Sequence, residues 1–580
     1  MKPGEDEAAV FSGDNSVLGT DQPAISNSSL LTPHSSLSEV SDDLQEQDSG
    51  GDPTQPPLPV VPGAQLAPSL AQTASRAMAW NTLLFPLKFA VSIASSIILA
   101  NLLPVRADYG LVALISTIAS TIGLYADLGI ERSLPRFVPE VERAGGSTLV
   151  RRFLWQIVAL KLAVMALLVG GLLLFSGPLL SSLSVNQTPH TIALLSQVGG
   201  LIIFTICAML VLGALFDTFM QFLLSYFKQR AWNIITIAAT MLQPALIIIF
   251  FSIGQPQVEF VLLAMVITPL VSVLLAGRQA LRLASSEAAL REGGATQIGK
   301  GGRLTADFRA RFLRYSGISY FMNISVYFYT LPFANIIVFN QYKFDGVALF
   351  SIAYNFVNQV LSVLWAPLSG LQVPLFSRIY AQDKERAGGA LPAGAQASPQ
   401  LQESYTVLSK FLALALIPAG VGLALLTTNL TYVLYAKYGA ASLTAIVLVM
   451  SLFAEAAISI PHNILMVYER FTPVLWSRLV SLISIPLLLI GIPLFDGAAQ
   501  TLLHMDPDDA KPFGLVGAAV AVGLARILSR LVVFIYAQQS MGLRYPWSFA
   551  RKVALAAAAM AVVVRLLAIW LGHYPFGTGG

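Results

Sequence analysis

Long runs of apolar residues, each about 20 residues or more, recur along the chain from Arg76 almost to its C-terminus. An α-helix needs about 20 residues to cross the ~30 Å hydrocarbon core of a bilayer. The strict alternation of β-barrel strands is absent from these runs, so the spans are predicted to be helices. About thirteen spans are predicted, near residues 79–103, 108–130, 153–178, 196–226, 231–254, 257–280, 314–340, 345–368, 405–427, 440–466, 471–495, 512–538 and 548–572.

The loops between these spans alternate in basic charge. Loops that follow even-numbered spans are rich in cations, among them Arg132, Arg136, Arg143, Arg151, Arg152, Lys228, Arg230, Arg282, Arg291, Lys300, Arg303, Arg309, Arg311, Arg314, Arg378, Lys384, Arg386, Arg470, Arg544, Arg551 and Lys552. The opposite loops carry isolated cations only, namely Arg106, Lys343, Lys437 and Lys511. Because basic loops stay in the cytoplasm, the N-terminus is predicted to be cytoplasmic and the C-terminal tail to lie outside.

Composition agrees with a membrane protein. Hydrophobic residues make up 55% of the 580 residues and charged residues only 11%, against roughly 25% charged in soluble domains. Residues 1–75 hold eleven acids and one base, so they carry a charge of −10 while the rest of the chain carries +14. This Ser- and Pro-rich segment cannot bury much apolar surface, and we expect a disordered acidic cytoplasmic tail. It has no basic-then-apolar stretch typical of a cleavable signal.

The chain contains an internal repeat with an offset of 235 residues. The segment 112–116 (VALIS) recurs as 347–351 (VALFS), which defines the offset. The same offset also relates polar residues in these and the preceding spans. In the first span and its copy these are Asn81, Lys88, Ser92 and Ser95, which correspond to Ser316, Asn323, Tyr327 and Thr330. In the second span and its copy they are Ser116, Ser120, Gly123 and Asp127, which correspond to Ser351, Asn355, Asn358 and Ser362. Each set lies on one helix face.

Copies that are six spans apart have the same topology, so the repeat predicts two pseudo-symmetric six-helix bundles around a central cleft. The expected segments are a tail (1–75), an N-terminal lobe (76–281), a basic cytoplasmic loop (282–313), a C-terminal lobe (314–538) with a flexible insertion (382–402), and an additional helix with a short tail (539–580). Ser, Thr and Gly in such stripes are also common close-packing residues in membrane helices. Ionisable groups at membrane depth need a partner or water.

Several short motifs resemble those of a known family. Asp108-Tyr109-Gly110-Leu111 and Ala126-Asp127-Leu128-Gly129-Ile130, with the stretch 98–103 (ILANLL) before them and 134–137 (LPRF) after them, resemble polysaccharide (O-antigen-type) flippases of the multidrug/oligosaccharidyl-lipid/polysaccharide exporter superfamily. In that family the first helix commonly ends in an "ILAR-LG" stretch, so Asn101 departs from the pattern. The resemblance implies two lobes whose helices one, two, seven and eight line the cleft.

The resemblance also implies the cargo, an oligosaccharide linked to a polyprenyl diphosphate, which is flipped to the outer leaflet by alternating access. Lys88 is the expected ligand of the diphosphate, with Lys161, Arg526 and Arg530 as weaker candidates. The expected sugar ligands are Asn81, Ser92, Asn323, Tyr327, Asn355 and Asn358. The expected gating or ion-coupling residues are Asp127, Glu131, Arg132, Glu455 and His462. Glu455 and His462 are seven residues apart, a spacing that shares one helix face.

The sequence predicts no catalytic residues, metal site or cofactor. None of the five histidines has metal-ligand spacing, the only cysteine is Cys207, and no phosphate-binding Gly-Lys-Ser/Thr loop is present. Expected partners are the lipid-linked glycan, membrane lipids, and the glycosyltransferases and polymerase of the same pathway, but not nucleic acid. A lipid II flippase, a multidrug/cation antiporter and, less favoured, a membrane polysaccharide polymerase or ligase are the alternatives. The expected location is a bacterial-type inner membrane.

Overall fold

The computed structural model describes residues 70–572 apart from residues 186, 227, 255–256, 286–305 and 388–395. Within these ranges the secondary structure is helical and contains no strand, which confirms the predicted all-α fold class. The helices of the first half are α1 (Leu70–Leu102), α2 (Arg106–Asp127), α3 (Ile130–Leu174), α4 (Ser176–Ser184), α5 (Pro189–Ser225), α6 (Gln229–Ile253) and α7 (Val258–Ser285).

The second half begins with two helices that together cover the predicted seventh and eighth spans. Its helices are α8 (Ala306–Tyr327), α9 (Leu331–Arg386), α10 (Pro399–Leu434), a 3-10 helix (Ala436–Ala441), α11 (Ser442–Ala457), α12 (Ile460–Val467), α13 (Phe471–Ser481), α14 (Ser484–Leu502), α15 (Pro507–Met541) and α16 (Trp547–Gly572). Inside α9 the backbone leaves helical geometry at Lys343, where φ is 56°. This kink lies between the two predicted spans.

Ten stretches of the described chain are long and apolar enough to cross a membrane. One of them, Ala306–Trp365, contains both the seventh and the eighth predicted span. The first and thirteenth predicted spans correspond to α1 and α16, which are 33 and 26 residues long. Large side chains such as Leu174 (82% exposed), Ile253 (82%) and Val433 (79%) point away from the protein. Together with the length of these apolar helices, such exposure is expected of a surface that faces hydrocarbon.

The structure changes several predicted segment bounds. Helix α1 begins at Leu70, inside the predicted tail, and residues 1–69 lie outside the described part of the chain. Helix α9 continues to Arg386, 18 residues beyond the predicted end of the eighth span and into the predicted insertion. Most of the predicted basic loop (286–305) and part of the insertion (388–395) also lie outside the described residues.

The helices pack in two groups, which we call the N-lobe (α1–α7) and the C-lobe (α8–α15). In the N-lobe α5 packs against α2, α3 and α7, and in the C-lobe α15 packs against α11, α13 and α14. Helix α16 packs against α10. The principal contact between the lobes is made by α2 and α9, the helices that carry the two copies of the repeated VALIS segment. The repeat therefore brings its own two copies together at the seam between the lobes.

Two glycines let α2 approach the C-lobe with its backbone. A Cβ on Gly110 would overlap the carbonyl group of Phe344, and one on Gly129 would overlap the carbonyl oxygen of Ser316. Gly129 also has φ of +68°, a conformation that L-residues other than glycine rarely adopt. These are the glycines of the Tyr109-Gly110 and Asp127-Leu128-Gly129 motifs. They lie at opposite ends of α2, so each end of this helix is in backbone contact with the other lobe.

We predict that Gly110→Ala and Gly129→Ala each separate the lobes at one end and destabilise this closed arrangement. Overpacking against backbone costs about 1–3 kcal/mol, and at Gly129 left-handed strain adds to it. The measurement is the midpoint of thermal unfolding of the purified protein in detergent. Gly200→Ala in α5 is the matched control, because a Cβ there would meet nothing within 4 Å. Midpoints equal to that of the control for both variants would contradict the proposed backbone contact.

Candidate functional site

The seam between the lobes is crossed by hydrogen bonds along the whole length of α2. Towards the end of the bundle that carries the arginine-rich loops, Asn323 donates to Asp127 Oδ2 at 2.6 Å, and the Ser133 and Ser316 hydroxyls are 2.8 Å apart. Farther along, the Tyr327 and Thr121 hydroxyls are 2.7 Å apart. Three residues that the repeat singled out, Asn323, Tyr327 and Ser316, thus take part in the seam.

At the opposite end the seam is closed by contacts to the C-terminal turn of α1. The side-chain amide of Asn101 donates to the carbonyl oxygen of Leu434 at 2.7 Å. In return Lys437 Nζ donates to the carbonyl oxygens of Leu103 at 2.8 Å and of Asn101 at 3.3 Å. Asn101, the departure from the family motif, is therefore a seam residue whose amide joins the lobes.

A cavity of about 390 Å³ lies inside the N-lobe between α2, α3 and α5. Its polar lining consists of Ser120, Asp127, Glu131, Lys161 and Asp217, and its apolar lining includes Met165, Met209 and Leu210. The stripe of Ser120, Gly123 and Asp127 that the sequence predicted on the second span faces this cavity. The cavity thus holds three carboxylates and one ammonium group.

Lys161 is the centre of the ionic contacts in this cavity. Its side chain is 1% exposed, and its Nζ contacts Glu131 Oε1 and lies 3.9 Å from Asp127 Oδ1. Because Asp127 also accepts the hydrogen bond from Asn323, one carboxylate links the buried lysine of the N-lobe to the C-lobe. A change in charge at this cavity would act directly on the seam.

Lys88 contacts the aromatic ring of Trp232. Its Nζ lies 4.7 Å from the centroid of the Trp232 ring, a cation–π contact within the N-lobe. Trp232 is the fourth residue of α6, next to the loop with Lys228 and Arg230. Lys88 is therefore located towards the arginine-rich end of the bundle rather than halfway along its span.

The other predicted sugar ligands are distributed along the same helices. Asn355 is half-buried and lies beside the Tyr109 hydroxyl across the seam, and Asn358, one turn further, is exposed. Ser92 is half-buried on α1. The side chains of Asn81 and Arg132 lie outside the described part of the structure, although both residues belong to helices.

The prediction that Glu455 and His462 share one helix face is wrong. Helix α11 ends at Ala457 and α12 begins at Ile460, with Pro461 in its first turn, so no continuous helix joins the two residues. Glu455 is buried and forms ion pairs with Arg526 (2.6 Å) and Arg530 (3.0 Å). His462 Nε2 lies 3.4 Å from Arg478 Nη2. The two arginines of α15, weaker candidates for the diphosphate, are thus partners of a buried carboxylate.

Asn335 and Arg478 are among the buried polar residues that sequence reasoning missed. Asn335 is 1% exposed and donates to Thr117 Oγ1 at 3.0 Å and to Ser351 Oγ at 2.9 Å, so it closes the middle of the seam. Arg478 is 6% exposed and donates to the Tyr329 hydroxyl. A lone amide or guanidinium within an apolar run is the signal for both.

A second cavity, of about 310 Å³, opens on the seam at the arginine-rich end, between α3 and α8. Its lining is Arg136, Phe137, Glu140, Arg311, Arg314, Tyr315 and Ile318. Arg136 stacks on the Tyr315 ring at 4.7 Å, and Arg311 donates to Glu140 at 2.5 Å. Arg311 also pairs with Asp307 at 3.0 Å, so three guanidinium groups and two carboxylates leave one positive charge in excess. We call this the inner seam cavity.

We predict that Lys161→Met destabilises the protein by about 3–5 kcal/mol, because it leaves buried carboxylates without a counter-ion. A second change, Glu131→Gln, should restore part of the lost stability by removing one of those charges. Thermal unfolding in detergent measures both effects. Lys410→Met, at an exposed lysine of α10, is the control. If Lys161→Met melts together with this control, Lys161 does not hold the network together.

No protein-family model matches the sequence, and no curated protein matches it significantly. Solved structures share its fold. The MurJ lipid II flippase in an inward closed conformation aligns with a TM-score of 0.57 at 15% identity, covering 84% of this chain and 92% of the flippase. A mutant of the Vibrio cholerae MATE transporter VcmN aligns with a TM-score of 0.52 at 15% identity, covering 82% and 98%. An inward-facing MATE family transporter of the MOP superfamily reaches 0.50 at 13% identity, covering 80% and 94%.

These alignments span most of each chain, so the similarity includes both lobes. MOP is the multidrug/oligosaccharidyl-lipid/polysaccharide exporter superfamily, which the sequence motifs resemble. The structural neighbours confirm that expectation at the level of the fold. The neighbours are transporters and not enzymes. The chain therefore has the two-lobed fold of MOP-superfamily membrane transporters.

Proposed function

We propose that the protein flips a polyprenyl-diphosphate-linked oligosaccharide from the cytoplasmic to the outer leaflet, for the synthesis of a cell-surface polysaccharide. The mechanism is alternating access, in which the two lobes rock about the seam. The fold of a MOP-superfamily transporter supports the class of activity. The charges along the seam support the class of cargo.

The inner seam cavity is the observation that supports a diphosphate-linked cargo. Arginine guanidinium groups bind phosphoryl oxygens in a bidentate manner, and this cavity offers them from both lobes, Arg136 from α3 and Arg314 from α8. Ile318, which is 45% exposed, lines the same cavity beside the lipid-facing surface of α8. A diphosphate in this cavity would leave its polyprenyl chain free to remain in the bilayer.

The seam itself is suited to repeated opening and closing. Its contacts are mostly hydrogen bonds of neutral groups, such as those of Asn335 with Thr117 and of Thr121 with Tyr327. Each such bond contributes only about 0.5–1.5 kcal/mol net, because water or substrate hydroxyls can replace it. We propose that Asn323, Tyr327, Asn355 and Asn358 exchange these bonds for bonds to the sugar hydroxyls when the lobes separate.

We propose that Asp127 and Glu131 couple the movement to an ion or proton. Asp127 connects the N-lobe cavity to the seam through Asn323, so protonation or cation binding at the cavity would weaken that contact. Glu455 is engaged by two arginines, which makes it a structural ion pair in this proposal. The proposed location is a bacterial-type inner membrane with the N-terminus in the cytoplasm, close to the enzymes that assemble the lipid-linked glycan.

A cation antiporter is the second candidate, because the N-lobe cavity holds three carboxylates against one lysine. The MATE transporters among the structural neighbours give it further support. In that case Glu131→Gln would abolish transport, whereas the arginines of the inner seam cavity would be dispensable. A lipid II flippase would share every feature proposed above and differ only in its head group.

We predict that the double change Arg136→Gln with Arg314→Gln leaves the protein inserted at normal abundance but traps lipid-linked oligosaccharide on the cytoplasmic leaflet. Loss of a charge-assisted hydrogen bond costs about 1.5–3 kcal/mol, so surface glycan should fall by about tenfold or more. We further propose that Lys88, which lies at the same end of the bundle but outside this cavity, binds the diphosphate on its path. Lys88→Ala should then act similarly, Lys88→Arg should keep partial activity, and Lys88→Glu should be worse than alanine. The readouts are surface glycan and the leaflet distribution of the intermediate.

Arg309→Gln is the matched control, since Arg309 is an exposed arginine of α8 that does not line the cavity. It should export glycan at the wild-type level. Normal export by stably expressed variants of Arg136 with Arg314 and of Lys88 would refute the proposed cargo. Loss of export in the control as well would show that any lost arginine at this end is harmful and would equally refute it.

A further inference from the structure

A cavity of about 790 Å³ lies at the end of the bundle opposite the arginine-rich loops. It is lined by Pro104, Val105, Arg106, Tyr342, Asp345, Gly346, Leu349, Lys437, Ala440, Asp509, Lys511, Pro512 and Leu515. The first three residues belong to the N-lobe and the rest to the C-lobe, so the cavity lies on the seam. We call it the outer seam cavity.

The cations of this cavity are unexpected on this side of the membrane. The sequence has four isolated cations in its predicted outer loops, and three of them, Arg106, Lys437 and Lys511, line this one cavity. Asp345 and Asp509 reduce the excess to one positive charge. Topology favours few basic residues here, so chance placement would have scattered them over the surface. Their convergence indicates that the cavity itself requires positive charge.

The helix macrodipole does not favour the positions of two of these cations. Arg106 is the first residue of α2 and Lys511 is the fifth of α15, so both lie near helix N-termini, where the macrodipole disfavours positive charge. The N-cap residue of α2, Val105, supplies no side-chain cap and itself lines the cavity. Buried Asp108 in the first turn of α2 offsets this N-terminus, so the basic side chains are the principal phosphoryl-binding features of the cavity.

Lys437 has a different position, because it bridges the lobes. Its ammonium group has three donors, and two of them bind the carbonyl oxygens of Leu103 and Asn101 at the end of α1. An anion in the cavity would therefore be held by Arg106 of the N-lobe and by Lys437 and Lys511 of the C-lobe. Such a ligand would join the lobes and favour the state that is closed at this end.

We propose that the outer seam cavity is a binding site for a phosphate or diphosphate group. The group could be carried by a lipid or be free in solution outside the membrane, and both present the same oxygens to the cations. The proposal of this site depends on its lining residues and not on the proposed function. Only the further step, that it receives the diphosphate of the cargo before release, rests on the proposed function.

The test is a calorimetric titration of the full chain in nanodiscs of phosphatidylcholine, a zwitterionic lipid, with inorganic pyrophosphate. The wild type should bind saturably, and the double variant Arg106→Gln with Lys511→Gln should bind at least about tenfold more weakly, as expected for lost charge-assisted hydrogen bonds. The control is Lys343→Gln, the fourth outer cation, which does not line the cavity and contacts Phe339 instead. It should bind as the wild type does.

A second titration, in nanodiscs that contain phosphatidylglycerol, distinguishes the two sources. A weaker apparent affinity for pyrophosphate in the wild type, but not in the double variant, would mean that a lipid head group occupies the site. An unchanged affinity would mean that the site takes a soluble or oligosaccharide-linked phosphate. Absence of saturable binding, or equal binding by wild type and double variant, would overturn the site. Neither of these results involves transport, so the flippase proposal would be unaffected.

Discussion

The backbone contact between α2 and the C-lobe is the constraint on which the rest of the structure depends. Gly110 and Gly129 lie at opposite ends of the same helix, and each allows a peptide group of the other lobe to approach where a side chain would stand. Helix α2 therefore contributes to the contact between the lobes at both ends of the seam. In the proposed alternating access, opening at one end would pivot on the contact at the other.

Each lobe forms its buried ion pairs from its own residues. The N-lobe surrounds Lys161 with Asp127 and Glu131, and the C-lobe surrounds Glu455 with Arg526 and Arg530. Breaking such buried pairs is costly, so each lobe should move as a unit. The seam between the lobes relies mostly on weaker neutral hydrogen bonds. The ionic groups that face it are concentrated in the inner and outer seam cavities. This contrast between the ionic contacts within the lobes and the neutral contacts between them would permit the movement that we propose.

The sequence predicted the features that depend on local pattern. The 235-residue repeat identified the two helices that meet at the seam, and the stripe through Asn323 and Tyr327 identified residues that cross it. Features that depend on tertiary contact were not predictable. The spacing of Glu455 and His462 assumed a continuous helix, which the turn before Pro461 interrupts. The partner of Lys88 is a tryptophan 144 positions away, and no periodicity reveals such a pairing.

The most direct test of the central claim is reconstitution of the purified protein in liposomes that carry a fluorescent polyprenyl-diphosphate oligosaccharide. A membrane-impermeant quencher then reports how much of the labelled head group is on the outer leaflet. We predict that the protein speeds its transfer between leaflets well above the rate in protein-free liposomes, while a phosphatidylcholine probe does not move. Equal rates with and without protein, or equal movement of both probes, would contradict the account.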